Sequence, residues 1–326
     1  MIPISVLDLV SVREGGTVSE ALVDAARIAQ VAEAAGYHRF WVAEHHGMPG
    51  IAGGATSVVL AHIGNATRTI RIGSGGIMLP NHNPFVIAEQ FGTLDALFPG
   101  RVDLGLGRAP GADGRVGQAL RKDLMRVSEY FPQDVVELRA LFDGDPRLPI
   151  LATPGMGAAV EMWILGSSLF GASLAAQLGM PFAFASHFAP DHLDAALTLY
   201  RQQFRPSEAL ERPHAMAAMA VYTAEDDAEA QYLASSQDQS FVALRTGNPG
   251  KLQPPVRNYR ASLPLQAAAM LEHMDQAKAI GSPETVRTAI ERFIDRTAAD
   301  ELIVAGATFD STARQASLDM TMAALR

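Results

Sequence analysis

The run Trp41-Val42-Ala43-Glu44-His45-His46 closes an apolar stretch with a carboxylate and two imidazoles in consecutive positions. An imidazole titrates near neutral pH and can pass a hydrogen bond or a proton to a ligand above it, while an inward carboxylate can fix its neighbours. His45 is the candidate for the first role and Glu44 for the second. A polar cap with a satisfied histidine is the plainer alternative. Zinc is disfavoured, because no third ligand of suitable spacing stands out among His62, His82, His187 and the carboxylates.

Three further segments carry chemistry-bearing residues. Gly73-Ser74-Gly75-Gly76-Ile77-Met78-Leu79-Pro80 places glycines inside an apolar run. That signals the close approach of another backbone or of a flat ligand, and a tight wall explains it equally well. Asn83-Pro84 after it reads as an N-cap and first helical residue, so His82 just precedes a helix. Gly105-Leu106-Gly107-Arg108 ends on a guanidinium suited to phosphate. Gly166-Ser167-Ser168 precedes an apolar helix, whose free N–H groups and two hydroxyls suit an anion. Taken one at a time, an exposed ion pair for Arg108 and simple capping for the serines serve as well.

The elements that must position these residues follow from periodicity. Short apolar runs alternate with helical segments from end to end, the pattern of a parallel α/β protein. Strands are predicted at Ile4–Leu9, Arg39–Ala43, Ile70–Ile77, Val102–Gly107, Met162–Leu165, Phe182–Ala185, Met216–Tyr222 and Glu301–Ala305. Helices are predicted at Ser19–Ala35, Ala55–Thr67, Pro84–Leu97, Val116–Phe142, Gly171–Leu178, Pro190–Phe204, Ala224–Ser235 and Pro283–Thr297, with one more at the C-terminus. Eight strands over 326 residues favour a single (β/α)8 TIM barrel over an open doubly wound sheet. Reactive groups then belong where strands end. Arg108 and Ser167-Ser168 fall on adjacent strand ends, so one shared phosphate is the economical reading. After the seventh strand, the polar segment at about 236–265, with Asn248-Pro249-Gly250 and Pro254-Pro255, reads as an inserted lid.

Composition removes other classes. Hydrophobic residues make up 48% and charged residues 19%, enough for a large core and too apolar for disorder. The net charge of −9 and the lack of a basic run argue against nucleic acid. With no cysteine, disulfides, thiolate metal sites and Cys nucleophiles are excluded, which fits a cytoplasmic setting. Met162–Ser186 is uncharged and long enough to suggest a membrane span, yet its glycines, serines and Pro181 divide it into strand, turn, helix, turn and strand.

These segments, in this order, together with Leu94-Asp95, Gly100-Arg101 and Ala175-Ala176-Gln177-Leu178-Gly179-Met180-Pro181, resemble the bacterial-luciferase-like flavin monooxygenases over most of the chain. The resemblance implies a TIM barrel holding FMN noncovalently, the flavin arriving reduced from a separate reductase and reacting with O2 to a flavin peroxide that oxygenates a small organic molecule. A related branch uses a deazaflavin and transfers hydride, and a flavin-binding protein without turnover is the non-enzymatic alternative. Position by position, the resemblance implies that His45 is the catalytic histidine and that Gly75-Gly76 forms a non-prolyl cis peptide under the flavin ring. It likewise makes Arg108, Ser167 and Ser168 phosphate contacts, and Asp113 matches a family carboxylate. Two departures stand out: Gly107 replaces the reactive cysteine of luciferase, and Gly171 replaces a hydroxyl residue near the phosphate. The resemblance also implies a homodimer through the helices predicted at Ala55–Thr67 and Pro84–Leu97, which are apolar around much of their circumference.

Overall fold

Residues 2–109 and 114–326 are described in a computed structural model of the chain. The strands are β1 (Ile4–Asp8), β2 (Arg39–Val42), β3 (Arg71–Met78), β4 (Val102–Gly107), β5 (Glu161–Gly166), β6 (Phe182–Phe184), β7 (Ala215–Thr223), β8 (Lys278–Gly281) and β9 (Glu301–Ala305). The helices are α1 (Val18–Ala35), α2 (Thr56–Ala66), α3 (Pro84–Leu97), α4 (Gly114–Leu120), α5 (Leu124–Glu129), α6 (Phe131–Asp143), α7 (Leu169–Leu178), α8 (Leu193–Gln203), α9 (Asp227–Arg245), α10 (Leu265–Met274), α11 (Pro283–Thr297) and α12 (Ser311–Leu325). All strand pairs are parallel. They run β6-β5-β4-β3-β2-β1-β9-β7, and a β6–β7 pairing closes the ring. This is the expected (β/α)8 barrel, with β9 as its eighth strand.

Three local expectations are corrected. The short strand β8 lies outside the ring, paired to the far end of β7 through Ala220↔Lys278 to Thr223↔Gly281. Its four residues begin with a lysine and show no alternation, so nothing marked it in the sequence. The single helix expected over Val116–Phe142 is three helices, broken where Arg121 takes φ 57° and Asp123 caps α5. The helix expected to stop at Ser235 runs on to Arg245. Ser236 and Asp238 looked like loop residues but are buried, and Asp238 accepts bonds from Lys278 (2.8 Å) and Arg260 (2.7 Å). The rest of the expected lid is tethered at buried Leu252, whose N–H donates to Val12 (2.9 Å) and whose carbonyl accepts from Glu14 (2.8 Å). The uncharged stretch divides into β5, α7 and β6 as expected, and no helix among the described residues is long and apolar enough to cross a membrane.

The barrel axis is filled in layers. At the strand beginnings, buried Arg39 bonds Asp103 (3.1 Å), Glu161 (3.0 Å) and Glu301 (2.9 Å), while Arg71 also pairs with Asp103. Above them Trp41 and Trp163 pack edge to face, each indole N–H donating to a carboxylate of this network. The charged lower end and the indole layer leave only the opposite end open for chemistry.

Breaking a buried ionic network by removing one partner costs more than the network contributes, because the remaining charges stay desolvated. Replacing Arg39 with Met strands Asp103 and Glu301, and a loss of about 3–5 kcal/mol in urea unfolding is expected. A loss below about 1 kcal/mol would show that the lower end is hydrated and the network dispensable.

Candidate functional site

Glu44 follows β2 and is fully buried at the mouth. One of its oxygens accepts from His46 Nε2 (2.7 Å), His82 Nε2 (2.9 Å) and Asn81 Nδ2 (3.3 Å). The other accepts from the Met78 N–H (3.0 Å) and also faces His82. Burial alone would raise its pKa, yet the bonds from His82, His46 and Met78 outweigh it and hold the carboxyl below the usual range. Glu44 is therefore an anion that pins the β2 end to the turn after β3. The fold also corrects a spacing argument: His82 does join Glu44 and His46, with ligand atoms all within 4.8 Å of one another.

Lys122 secures the same turn from outside, donating to the carbonyls of His82 (2.7 Å) and Pro80 (3.1 Å). Between Glu44 and His46, half-buried His45 stands close enough to His187 for its charge to be felt there.

The Gly75–Gly76 bond is cis. The glycines themselves answer to the barrel wall. A Cβ on Gly75 would come within 2.6 Å of Leu7, and one on Gly76 within 2.6 Å of the Gly105 carbonyl. The register against β4 also shifts between Gly75 and Ile77.

At the next two strand ends lies a donor set. Arg108 is exposed, its guanidinium stacks 4.0 Å above the ring of Phe170, and it has no ion-pair partner among the described residues. Phe170 belongs to the first turn of α7. Ser168 is the N-cap there without making a side-chain cap, and neither Ser167 nor Ser168 has a hydroxyl partner among the described residues. A guanidinium, two hydroxyls and the unpaired N–H groups of a helix start thus converge without an internal acceptor. Gly171 in the same turn has a local reason: a Cβ there would sit 3.3 Å from the Gly166 Cα. Asp113 lies outside the described residues.

One mouth residue was passed over in the sequence, and a second was weighed only as a metal ligand. Ser186 and His187 follow β6, and their signal was the one used for Glu44 and Arg108, a polar residue at a strand end. Ser186 is buried and donates to the Ala218 carbonyl. His187 has a buried Nδ1 without a hydrogen-bond partner. Burial, aided by the charge of His45, lowers its pKa from the usual 6.5 to about 4, so it is a neutral imidazole at pH 7.

Residues 2–301 match the luciferase-like monooxygenase family. A luciferase-like monooxygenase of Escherichia coli K12 is 46% identical over 98% of this chain and 96% of its own length. The N-acetyl-S-alkylcysteine monooxygenase of Bacillus subtilis is 35% identical over 76% of this chain and 75% of its own. Among solved structures, apo-MsnO8 superposes with a TM-score of 0.88 and 32% identity, covering 99% of this chain and 98% of that one.

The depressed pKa of His187 sets a sign. Between about pH 6.5 and 4 the unfolded chain takes up a proton that the folded protein refuses, so stability falls as the pH drops through that window and levels below it. His187→Asn should remove roughly 1 kcal/mol of the loss measured between pH 7 and pH 5 by urea unfolding. An unchanged difference between the two pH values would place the imidazole in water.

Proposed function

Since the chain belongs to the luciferase-like monooxygenase family and is an oxidoreductase of that class, we propose that it is an FMN-dependent monooxygenase acting on a small organic molecule with O2. The observation that carries the choice of cofactor is the donor set at the ends of β4 and β5. Arg108 is held flat against Phe170 with no ion-pair partner among the described residues, and Ser167, Ser168 and the start of α7 follow at the next strand end. Such a set matches a phosphate monoester, which offers three acceptor oxygens and a double negative charge. The residues therefore fit an FMN phosphate. Bound in its reduced form, the flavin would supply the electrons that O2 activation requires.

The remaining roles belong to the chain. In this reading Gly75-Gly76 supports the ring system at the wall where β3 meets β4. His45 holds or donates a proton at its imidazole toward the reacting edge, and neutral His187 beside it neither repels an oxyanion nor competes for that proton at pH 7. Glu44 acts at one remove, tying His46 and His82 so that the backbone carrying His45 is fixed. The substrate class is a coarser matter, because specificity sits in the loops around the mouth. Reduced flavin would come from a separate reductase. Val58, Val86 and Leu97 are exposed on α2 and α3, at 68%, 43% and 57%, and we assign them to a homodimer interface. Light scattering at micromolar concentration should give twice the monomer mass, and a monomer there would remove that assignment.

The cofactor reading is tested by titrating the protein with FMN, riboflavin and a deazaflavin. FMN is expected to bind best. Arg108→Ala should weaken FMN by about 2–3 kcal/mol while leaving riboflavin nearly unchanged, the difference due to a charge-assisted contact with phosphate. An equal loss for both flavins excludes the phosphate role of Arg108. Preference for the deazaflavin, with hydride transfer and no oxygen uptake, overturns the monooxygenase chemistry.

A further inference from the structure

At the same end of the barrel as the mouth, but lined by other residues, a small cavity of about 50 Å³ lies between α1, the start of α12 and the ends of β1 and β9. Neither Glu44, His45, Arg108 nor the two serines line it. One of its walls is Arg314, the fourth residue of α12, which is 3% exposed. None of its three guanidinium nitrogens has a hydrogen-bond partner among the described residues. A buried cation without a partner is costly anywhere, and here the positive end of α12 sits one turn away. Facing it is Asp8, whose carboxyl is pushed above its usual range by burial, against the opposing charge of Arg314, with which it makes no ion pair. The chain is bent to keep Asp8 in place: Val10, a β-branched residue, takes φ 53°, and its N–H donates to the Asp8 carboxylate at 2.6 Å. Asp24 of α1 adds a second carboxylate to the same wall. Glu20 is drawn off to the capping box of α1 with Thr17.

We propose that this cavity is a binding site for a small amino-acid zwitterion, its carboxylate on the Arg314 fork and its ammonium between Asp8 and Asp24. The guanidinium presents parallel N–H donors matched to a carboxylate. Arg13 also lines the cavity, yet a simple anion there would still face the carboxylates of Asp8 and Asp24, and a simple cation would leave Arg314 unsatisfied. Only a ligand bearing both charges a few atoms apart answers both walls. The volume limits its size, since each water-sized group takes roughly 10–15 Å³ of such space, so three to five groups fit. Glycine, with five non-hydrogen atoms, is of this size, and alanine exceeds it by one methyl group. The site is independent of the flavin, and its failure would leave the monooxygenase reading untouched.

Calorimetric titration and thermal unfolding of the intact protein with glycine, L-alanine, acetate and methylammonium test the proposal. Glycine should bind saturably and raise the unfolding midpoint, with L-alanine weaker and acetate and methylammonium at least tenfold weaker. Asp24→Asn changes a half-exposed side chain and should fold normally, yet bind glycine at least fivefold more weakly. Arg314→Lys should lose binding, and Asp24→Asn carries the test if that buried variant does not fold. Acetate binding as tightly as glycine, or an unchanged glycine affinity in Asp24→Asn, overturns the zwitterion. If no probe binds and a crystal structure places waters between Arg314 and Asp8, the cavity is a hydration site and the proposal falls.

Discussion

The guanidinium of Arg39 must be neutralised where water hardly reaches, and much of the barrel is arranged around that requirement. Its partners come from the beginnings of β4, β5 and β9, so strands distant in sequence are joined at one point inside the ring. A barrel of eight strands has an interior only wide enough for side chains to fill it. Here charged groups occupy the lower layer and two indoles the next. A bound molecule can enter only from the other end, where the strands finish and helices begin. The position of the chemistry is thus a consequence of what fills the axis below it.

At that upper end Glu44 works in a comparable way, though on loops. A buried carboxylate without donors would take up a proton, but this one receives two imidazoles, an amide side chain and a backbone N–H. Each donor comes from a different part of two consecutive strand-to-helix connections. The turn after β3 is held from both sides, by Glu44 within and Lys122 without. Rigidity of this kind suits a site whose imidazole must meet a reacting edge at a fixed distance.

How much of this was legible in the sequence depended on whether the signal was local. Strand ends declared themselves through polar residues after apolar runs, which located Glu44, His45 and Arg108. The helix start at Asn83-Pro84 carried its own cap. What could not be read was any feature whose reason lies far along the chain. Asp238 looked like a loop residue because its partners, Arg260 and Lys278, lie 22 and 40 residues away. His82 looked unattached because the carboxylate it serves lies 38 residues earlier. The strand β8 had no pattern of its own, since the β7 backbone and the buried ion pair of Lys278 form it. The three glycines of β3 were ambiguous between ligand and wall, and the steric answer came only with the neighbours Leu7 and Gly105 in place.

The arginines draw the last distinction. Arg39, Arg71, Arg101 and Arg260 spend their donors on partners within the chain, on carboxylates or on carbonyls at loop ends, and each holds elements together. Arg108 and Arg314 do not. Among the described residues, one lies in the open mouth with its face against Phe170 and no ion-pair partner, and the other is buried with none of its three nitrogens hydrogen-bonded. A guanidinium cannot lose its proton to escape such a position, as a lysine or histidine can, so its charge persists whatever surrounds it. For Arg39, Arg71, Arg101 and Arg260 folding has met this demand with internal acceptors. Arg108 and Arg314 are places where an acceptor from outside the chain has much to gain by binding.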